Sequence, residues 1–323
     1  MRFRILAIIL VLVAGAGRMR AGEKYPPETK NAALRYWMAF AEMQDSSADQ
    51  ATQELLEKTV TGKAAWDEAK LAPILDANSD AIQMMQRAAK LPDCDWGLEY
   101  SRGPRASIAY APRARALARL NTLEGMRQMA KGDSQSAVNT WLAGIRFSQD
   151  LAHGGPLIFA LMAKSALLPD LRALGDAARN GQMSETQKEQ VFTVVKALPE
   201  DGLDWGSAWG IESTTVEQLL HELQTAPDPS AAYTAIMGDP APKQGLPPTS
   251  QDVQEYREYM LAVQAALREP PMKAKTRLDD LQRRKDSLGE VEQNAIPNPQ
   301  KSNAARIEIM TARAELMQAL AAK

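Results

Sequence analysis

Residues 123–155 read LEGMRQMAKGDSQSAVNTWLAGIRFSQDLAHGG, and apolar residues recur at every third or fourth position on both sides of the central KGD. Because residues three and four apart share one face of an α-helix, this spacing predicts two amphipathic helices joined by a short turn. The two apolar stripes are Ala116, Leu120, Leu123, Met126 and Ala130 before the turn, and Val138, Trp141, Leu142 and Ile145 after it. The stretch therefore predicts an antiparallel helical hairpin.

Small and bulky residues within this hairpin have the spacing of a tetratricopeptide repeat. Gly125, Gly132, Ala137 and Trp141 occupy the positions of the small residue, the turn glycine, the alanine and the large apolar residue of that repeat. Small residues let two helices approach closely, and a bulky residue fills the groove between them. The match covers one unit of about 34 residues, and the positions where the repeat has its Trp, Tyr and Pro are not matched.

The rest of the chain shows the same helical periodicity. One further stripe consists of Val253, Tyr256, Met260, Val263 and Leu267. Ser184 and Gln187 have the spacing of a capping box, which marks the start of a helix. No stretch alternates apolar and polar residues for long enough to predict a sheet. We therefore expect an all-α fold of antiparallel helix pairs, packed either like tetratricopeptide repeats or as a helical bundle.

Prolines and glycines mark the largest break in the periodicity. The stretch GDPAPKQGLPP at 238–248 contains four prolines and two glycines, too many for a helix. The break predicts a main helical domain over 23–237, a linker over 238–249 and a smaller C-terminal helical region over 250–323. Within that region, eleven of the twenty residues of 273–292 are charged, which is typical of a solvated helix face.

The first residues of the chain, MRFRILAIILVLVAGAG, have the three parts of a secretory signal peptide. Two arginines precede an apolar run over residues 5–13, and small residues follow it. The run is shorter than the roughly 20 apolar residues that cross a bilayer. We therefore expect residues 1–22 to be a signal peptide, the mature chain to be periplasmic or secreted, and no integral membrane segment to remain after cleavage.

Composition excludes or disfavours several functional classes. The formal net charge of −2 argues against a nucleic-acid binder, which usually carries a marked basic excess. One cysteine cannot form an internal disulfide, and two histidines leave few metal or acid–base options. No glycine-rich phosphate loop follows a predicted strand, and no GxSxG motif is present. We accordingly expect no cofactor and no bound metal ion.

The stretch DCDWGLEY at 93–100 offers the strongest candidate site. One interpretation is a binding groove near Trp96, Tyr100, Arg102 and Arg105, because aromatic and arginine side chains are typical of interface hot spots. A second is structural: Trp96 attaches a connection to the core, and the acids pair with arginines, of which five and no acid lie between Tyr100 and Leu123. We favour charge pairing over catalysis, since ion pairs are common and catalytic sites are few.

A third interpretation is catalytic and uses Asp93, Asp95 or Glu99 together with His153 across a pocket. It requires these side chains to converge on one cavity. His153 also fits a simpler role, since a histidine followed by Gly154 and Pro156 is typical of a helix end and the start of the next helix.

Three other features have structural interpretations that we prefer to functional ones. Cys94 stands between carboxylates, which raise a thiol pKa, so we expect a small buried side chain instead of a nucleophile. Trp205 and Trp209, in a second DWG stretch, are four apart and are expected to fill the core. His221 lacks the second histidine four residues later that a zinc protease helix would have.

Several segments together resemble a group of uncharacterised exported all-helical bacterial proteins. They are the export signal, CDWGLEY with the following GP, the arginine-rich PRARALARL, and KGDSQSAVNTWLAGIRFSQDLAHGGPLI. The resemblance covers about residues 85–200 and includes the single tetratricopeptide-like hairpin. It implies a helical fold and an exported location, and it implies no activity or ligand.

These observations lead to an expectation about the general class of function. Stacked helix pairs generally form concave surfaces that bind proteins or peptides, so we expect an exported binding or scaffolding module. Two alternatives stay open: an enzyme that uses the carboxylates with His153, and a self-associating structural protein of the envelope.

Overall fold

The computed structural model describes residues 28–44, 49–106 and 108–322. Over these ranges the chain forms fourteen α-helices and no β-strand, which confirms the predicted all-α class. The predicted signal peptide, residues 1–22, lies outside the described residues. None of the described helices is both long enough and apolar enough to span a lipid bilayer.

The α-helices are α1 Ala32–Glu42, α2 Gln50–Val60, α3 Glu68–Ala77, α4 Ser79–Ala88, α5 Ala111–Ala130, α6 Ser134–Ala152, α7 Leu157–Arg179, α8 Glu185–Ala197, α9 Trp205–Thr225, α10 Pro229–Met237, α11 Ser250–Leu267, α12 Pro271–Lys285, α13 Glu290–Ala295 and α14 Pro299–Ala321. A short 3-10 segment, Tyr100–Arg105, lies between α4 and α5 and is called the 3-10 turn below. The described residues from Asn31 onward belong to one compact unit.

The predicted hairpin is formed by α5 and α6. Helix α5 ends at Ala130, and Gly132 turns the chain with a φ of 80°, a left-handed conformation that favours glycine. The Asp133 side chain accepts the Ser136 N–H at 3.0 Å and so caps the start of α6. The predicted capping box at the start of α8 is also confirmed, because Ser184 and Gln187 make both of its reciprocal bonds.

Gly125 and Trp141 pack against each other where α5 meets α6. The Trp141 indole is buried, and its Nε1 donates to the Thr122 carbonyl at 3.1 Å. A Cβ atom at Gly125 would overlap the indole ring. The absence of a side chain at Gly125 therefore sets how closely the two helices approach, as the sequence predicted for this pair. A wider likeness to tetratricopeptide arrays stays a prediction.

Helix α7 packs against both α5 and α6, and we call these three helices the α5–α7 core. Gly144 on α6 allows this approach, since a Cβ there would overlap the Asp170 carboxyl of α7. Asp170 is only 1% exposed, and its Oδ1 lies 2.7 Å from Thr122 Oγ1. Burial raises the pKa of Asp170 well above its ordinary value.

Burial favours the neutral form of Asp170, and the hydrogen bonds of Thr122 are compatible with that form. The Thr122 hydroxyl also lies 3.1 Å from the Ala118 carbonyl oxygen, which can only accept. A hydroxyl has one proton to donate, so both bonds form together when Asp170 donates to Thr122 and Thr122 donates to Ala118. A neutral carboxylic acid is therefore compatible with this buried network.

The C-terminal helices pack on the same body. Helix α14 lies against α7, and α11 lies against α9. Arg306 of α14 is buried, pairs with Asp201 at 2.6 Å and donates to the Glu269 carbonyl at 2.8 Å. The segment 238–249 contains no helix and connects α10 to α11. The division into a main helical domain over 23–237 and a C-terminal helical region over 250–323 stays a prediction.

We predict that Gly125→Ala lowers the free energy of unfolding by about 1–3 kcal/mol, because the added methyl group forces the Trp141 indole from its place. The matched control is Gly210→Ala in α9, where a Cβ would meet nothing within 4 Å. Without a clash, helix propensity alone should make Gly210→Ala stabilising by up to about 1 kcal/mol. Urea denaturation of both variants measures the difference. Equal effects would contradict the packing role of Gly125.

We predict that Asp170→Asn stabilises the chain at neutral pH and removes part of its pH dependence. The raised folded-state pKa of Asp170 means that wild-type stability is fully present below the unfolded pKa of about 3.9 and is lost as the pH rises from there towards the folded pKa. The amide in the variant does not ionise and has no such cost. In urea denaturation from pH 4 to 8, the free energy of unfolding of the variant should rise relative to that of the wild type as the pH rises. A difference that stays constant with pH would contradict a neutral Asp170.

Candidate functional site

Trp96 lies in the core and does not line a surface groove. Its side chain is 6% exposed and stacks on Tyr110 at 4.7 Å between ring centroids. Its Nε1 donates to the Asp150 carbonyl at 2.7 Å. Trp96 therefore fixes the connection between α4 and α5 to the core, which is the structural role that the sequence allowed for it.

A buried polar cluster surrounds the carboxylate of Asp150. Asp150 accepts a hydrogen bond from the Tyr36 hydroxyl at 2.7 Å and pairs with Arg146 Nε at 2.9 Å. Burial raises the pKa of Asp150. Burial, with the nearby Asp150 charge, raises the pKa of the Cys94 thiol to about 12. A thiol with this pKa is protonated at neutral pH, so Cys94 lacks the thiolate that a nucleophile needs.

The three carboxylates of the stretch 93–100 and His153 do not line one cavity. Asp95 Oδ1 accepts the Gly97 N–H at 2.9 Å, and Glu99 pairs with Arg102 at 3.1 Å. His153 ends α6, where its backbone N–H donates to Gln149 at 3.0 Å. None of Asp93, Asp95 and Glu99 lines the cavity that His153 lines. The shared cavity that the enzyme hypothesis requires is not formed by these side chains.

The 3-10 turn brings Tyr100, Arg102 and Arg105 against α9. The Tyr100 hydroxyl donates to the Gly154 carbonyl at the end of α6, although the side chain is 49% exposed. Arg105 makes a two-pronged ion pair with Glu222, with nitrogen–oxygen distances of 2.6 and 2.7 Å. Three of the four predicted binding residues therefore lie together on one surface, and the arginines among them are ion-paired.

An open cleft lies between the 3-10 turn, the start of α7 and the middle of α9, and we call it the apolar cleft. Its volume is about 390 Å³. Most of its lining is hydrocarbon and includes Leu98, Ile158, Leu161, Ile211, Val216 and Met237. Tyr100 stands at one side of it. Predominantly apolar walls with a few polar groups are typical of a ligand site.

Glu212 is the one charged side chain among the described residues that line the apolar cleft. Its Oε2 accepts the Leu157 N–H at 3.2 Å, at the start of α7. Pro156, the residue before that helix, has no side-chain acceptor, so Glu212 satisfies a backbone donor that the helix leaves open. Burial raises the pKa of Glu212, and this hydrogen bond partly opposes the rise.

A second cavity of about 480 Å³ adjoins the first and is called the polar cavity. Its polar lining includes His153, Asp204, Ser207 and Thr214. The two cavities share Tyr100, Ile211 and Thr215 in their linings and therefore lie side by side along α9. Asp204 caps α9 through the Ser207 N–H at 3.0 Å and the Ser207 hydroxyl at 2.6 Å. Trp205 and Trp209 are buried, as predicted.

The sequence did not single out Glu212, although one signal was present. Trp209, Glu212 and Val216 are three and four residues apart, so Glu212 falls on the apolar stripe of α9. An acid on such a stripe either has a buried partner or lines a cavity. The other walls come from α7, α10 and the segment after α13, and no local pattern joins them.

Comparisons with protein-family models, with curated proteins and with solved structures found no match. Within the described ranges, no group of three or more His, Cys, Asp or Glu side chains could hold a metal ion. The resemblance to exported helical bacterial proteins stays an expectation. The apolar cleft and the polar cavity are the features from which we infer a function.

We predict that Trp96 and Tyr100, four residues apart, differ sharply in their effects on stability. Trp96→Ala should lower the free energy of unfolding by about 3–5 kcal/mol, because it leaves a cavity among stacked rings. Tyr100→Ala should cost less than about 1.5 kcal/mol, since its ring is half exposed and it loses one hydrogen bond. Urea denaturation tests both. Similar losses would contradict the separate structural and surface roles.

Proposed function

We propose that the chain is a binding module that holds a short peptide segment along α9, across the apolar cleft and the polar cavity. The observation that supports this function most strongly is the apolar cleft itself. Its volume of about 390 Å³ falls within the range of roughly 300–1,000 Å³ that is usual for ligand pockets. The proposal includes the periplasmic or secreted location, which rests on the signal-peptide pattern of residues 1–22.

The combined length of the two adjacent cavities favours a peptide over a compact small molecule. Along α9 their lining extends from Ser207 to Leu219. At a rise of 1.5 Å per residue this distance is about 18 Å. An extended peptide advances about 3.3 Å per residue, so about five or six residues would cover the groove.

The chemistry of the groove suits a peptide with at least one large apolar side chain. Ile158 and Tyr100 are 44% and 49% exposed at the rim, and a bound chain would remove both from water. On the same helix, Thr215 lines both cavities, and Thr214 lines the polar cavity beside it. Apolar side chains in the cleft and polar contacts beside it provide affinity and orientation together.

We predict that selection of a random hexapeptide library against the wild-type chain enriches peptides that depend on Ile158. Ile158→Asp places a charge at the rim, where the native side chain is already partly exposed, so the fold should persist. The matched control is Leu261→Asp, since Leu261 is 58% exposed on α11 and does not line the apolar cleft or the polar cavity.

The affinity of the enriched peptides, measured by fluorescence anisotropy, should fall at least about tenfold for Ile158→Asp, or about 1.4 kcal/mol. It should be unchanged for Leu261→Asp. Failure to enrich any peptide, or equal affinity for both variants, would overturn the proposed function.

A further inference from the structure

Helix α9 carries three acids at intervals of five residues, and one of them differs from the other two. Glu217 pairs with Arg257, and Glu222 pairs with Arg105. Glu212 has only the Leu157 backbone N–H as a hydrogen-bond partner among the described residues. It is also the acid that lines the apolar cleft. The two more exposed acids therefore have cationic partners, and the acid in the cleft has none among the described residues.

A carboxylate in an apolar wall without a counter-ion is costly, because the interior solvates charge poorly. The surrounding hydrocarbon raises the pKa of Glu212, because burial disfavours the charged form of the carboxyl group. A ligand cation that enters the cleft would offset this cost, and the ion pair would form against an apolar wall. Hydrogen bonds between ionised groups are about twice as strong as neutral ones.

We infer that the apolar cleft recognises a primary ammonium group on an apolar stem, with Glu212 as its counter-ion. This inference rests on the proposed function and names the chemistry of the ligand. One carboxylate oxygen, Oε2, is already bonded to the Leu157 N–H at 3.2 Å. A guanidinium group binds best through a fork to both oxygens, whereas a compact ammonium group needs only one.

Two sources could supply this group. A lysine side chain of a bound peptide has an ammonium head on four methylene groups, and a free amphiphilic amine has the same head on an alkyl chain. Both place hydrocarbon against the walls formed by Ile158, Ile211 and Val216 while the head reaches Glu212. The shared chemistry defines the site, and the probes below distinguish the sources.

The test compares hexylamine with 1-hexanol, which has a similar chain and a neutral head, by isothermal titration calorimetry on the full chain. The wild type should bind the amine at least about tenfold more tightly, a difference of about 1.4 kcal/mol. Glu212→Gln keeps the shape and an acceptor for Leu157, so it should lose this preference and keep its affinity for the alcohol. Glu222→Gln, a surface acid that is already paired, should keep the preference.

A second pair of probes separates the sources. They are an acetylated, amidated pentapeptide with one central lysine between leucines, and the same peptide with norleucine in place of lysine. Tighter binding of the lysine peptide than of hexylamine assigns the site to peptides, whereas the reverse order would keep the ammonium site and overturn the proposed peptide-binding function. A norleucine peptide that binds the wild type as tightly as the lysine peptide would overturn recognition of the ammonium group.

The possible failures are distinguishable. Equal binding of hexylamine and 1-hexanol to the wild type would overturn the inference and leave the proposed function standing. No binding of either probe or either peptide would overturn both. The wild-type comparison does not depend on the fold of any variant, so it remains decisive even if Glu212→Gln is unstable.

Discussion

The close approach of α5, α6 and α7 is the constraint on which the rest of the structure depends. Gly125 admits the Trp141 indole between α5 and α6, and Gly144 admits the Asp170 carboxyl between α6 and α7. A side chain at either glycine would push two helices apart. Because these helices are fixed, the end of α6 and the start of α7 are fixed as well. That junction supplies the Gly154 carbonyl to Tyr100 and the Leu157 N–H to Glu212.

The candidate site thus lies at the ends of the core helices, where backbone groups have no hydrogen-bond partner within their own helix. Tyr100 binds one such group and Glu212 binds another, and the apolar cleft lies between them. Within the 3-10 turn, Gly103 has a φ of 52°, a left-handed conformation that favours glycine, and it lies against Gln218 and Thr215 of α9. The Arg105–Glu222 pair adds a contact on the far side of the turn. Core packing, helix termini and the cleft are therefore physically connected.

Local features of this fold were predictable from the sequence, and tertiary ones were not. Periodicity and turn residues predicted the α5–α6 hairpin, and the capping box predicted the start of α8, because both depend on residues a few positions apart. Trp96 was a candidate for a groove or for the core, and its burial, its stacking on Tyr110 and its bond to the Asp150 carbonyl decide for the core. Glu212 became a candidate only when α7, α10 and the 3-10 turn enclosed it. Those contacts join residues far apart in sequence, which no periodicity encodes.

The most direct test of this account is a crystal structure of the chain grown with hexylamine. The account predicts density for the alkyl chain in the apolar cleft, with its nitrogen about 2.7–2.9 Å from the Glu212 carboxylate, as in other charge-assisted hydrogen bonds. The Leu157 N–H bond to Glu212 should be retained. An empty cleft with the amine bound elsewhere, or an amine in the cleft with its nitrogen directed away from Glu212, would contradict the central claim.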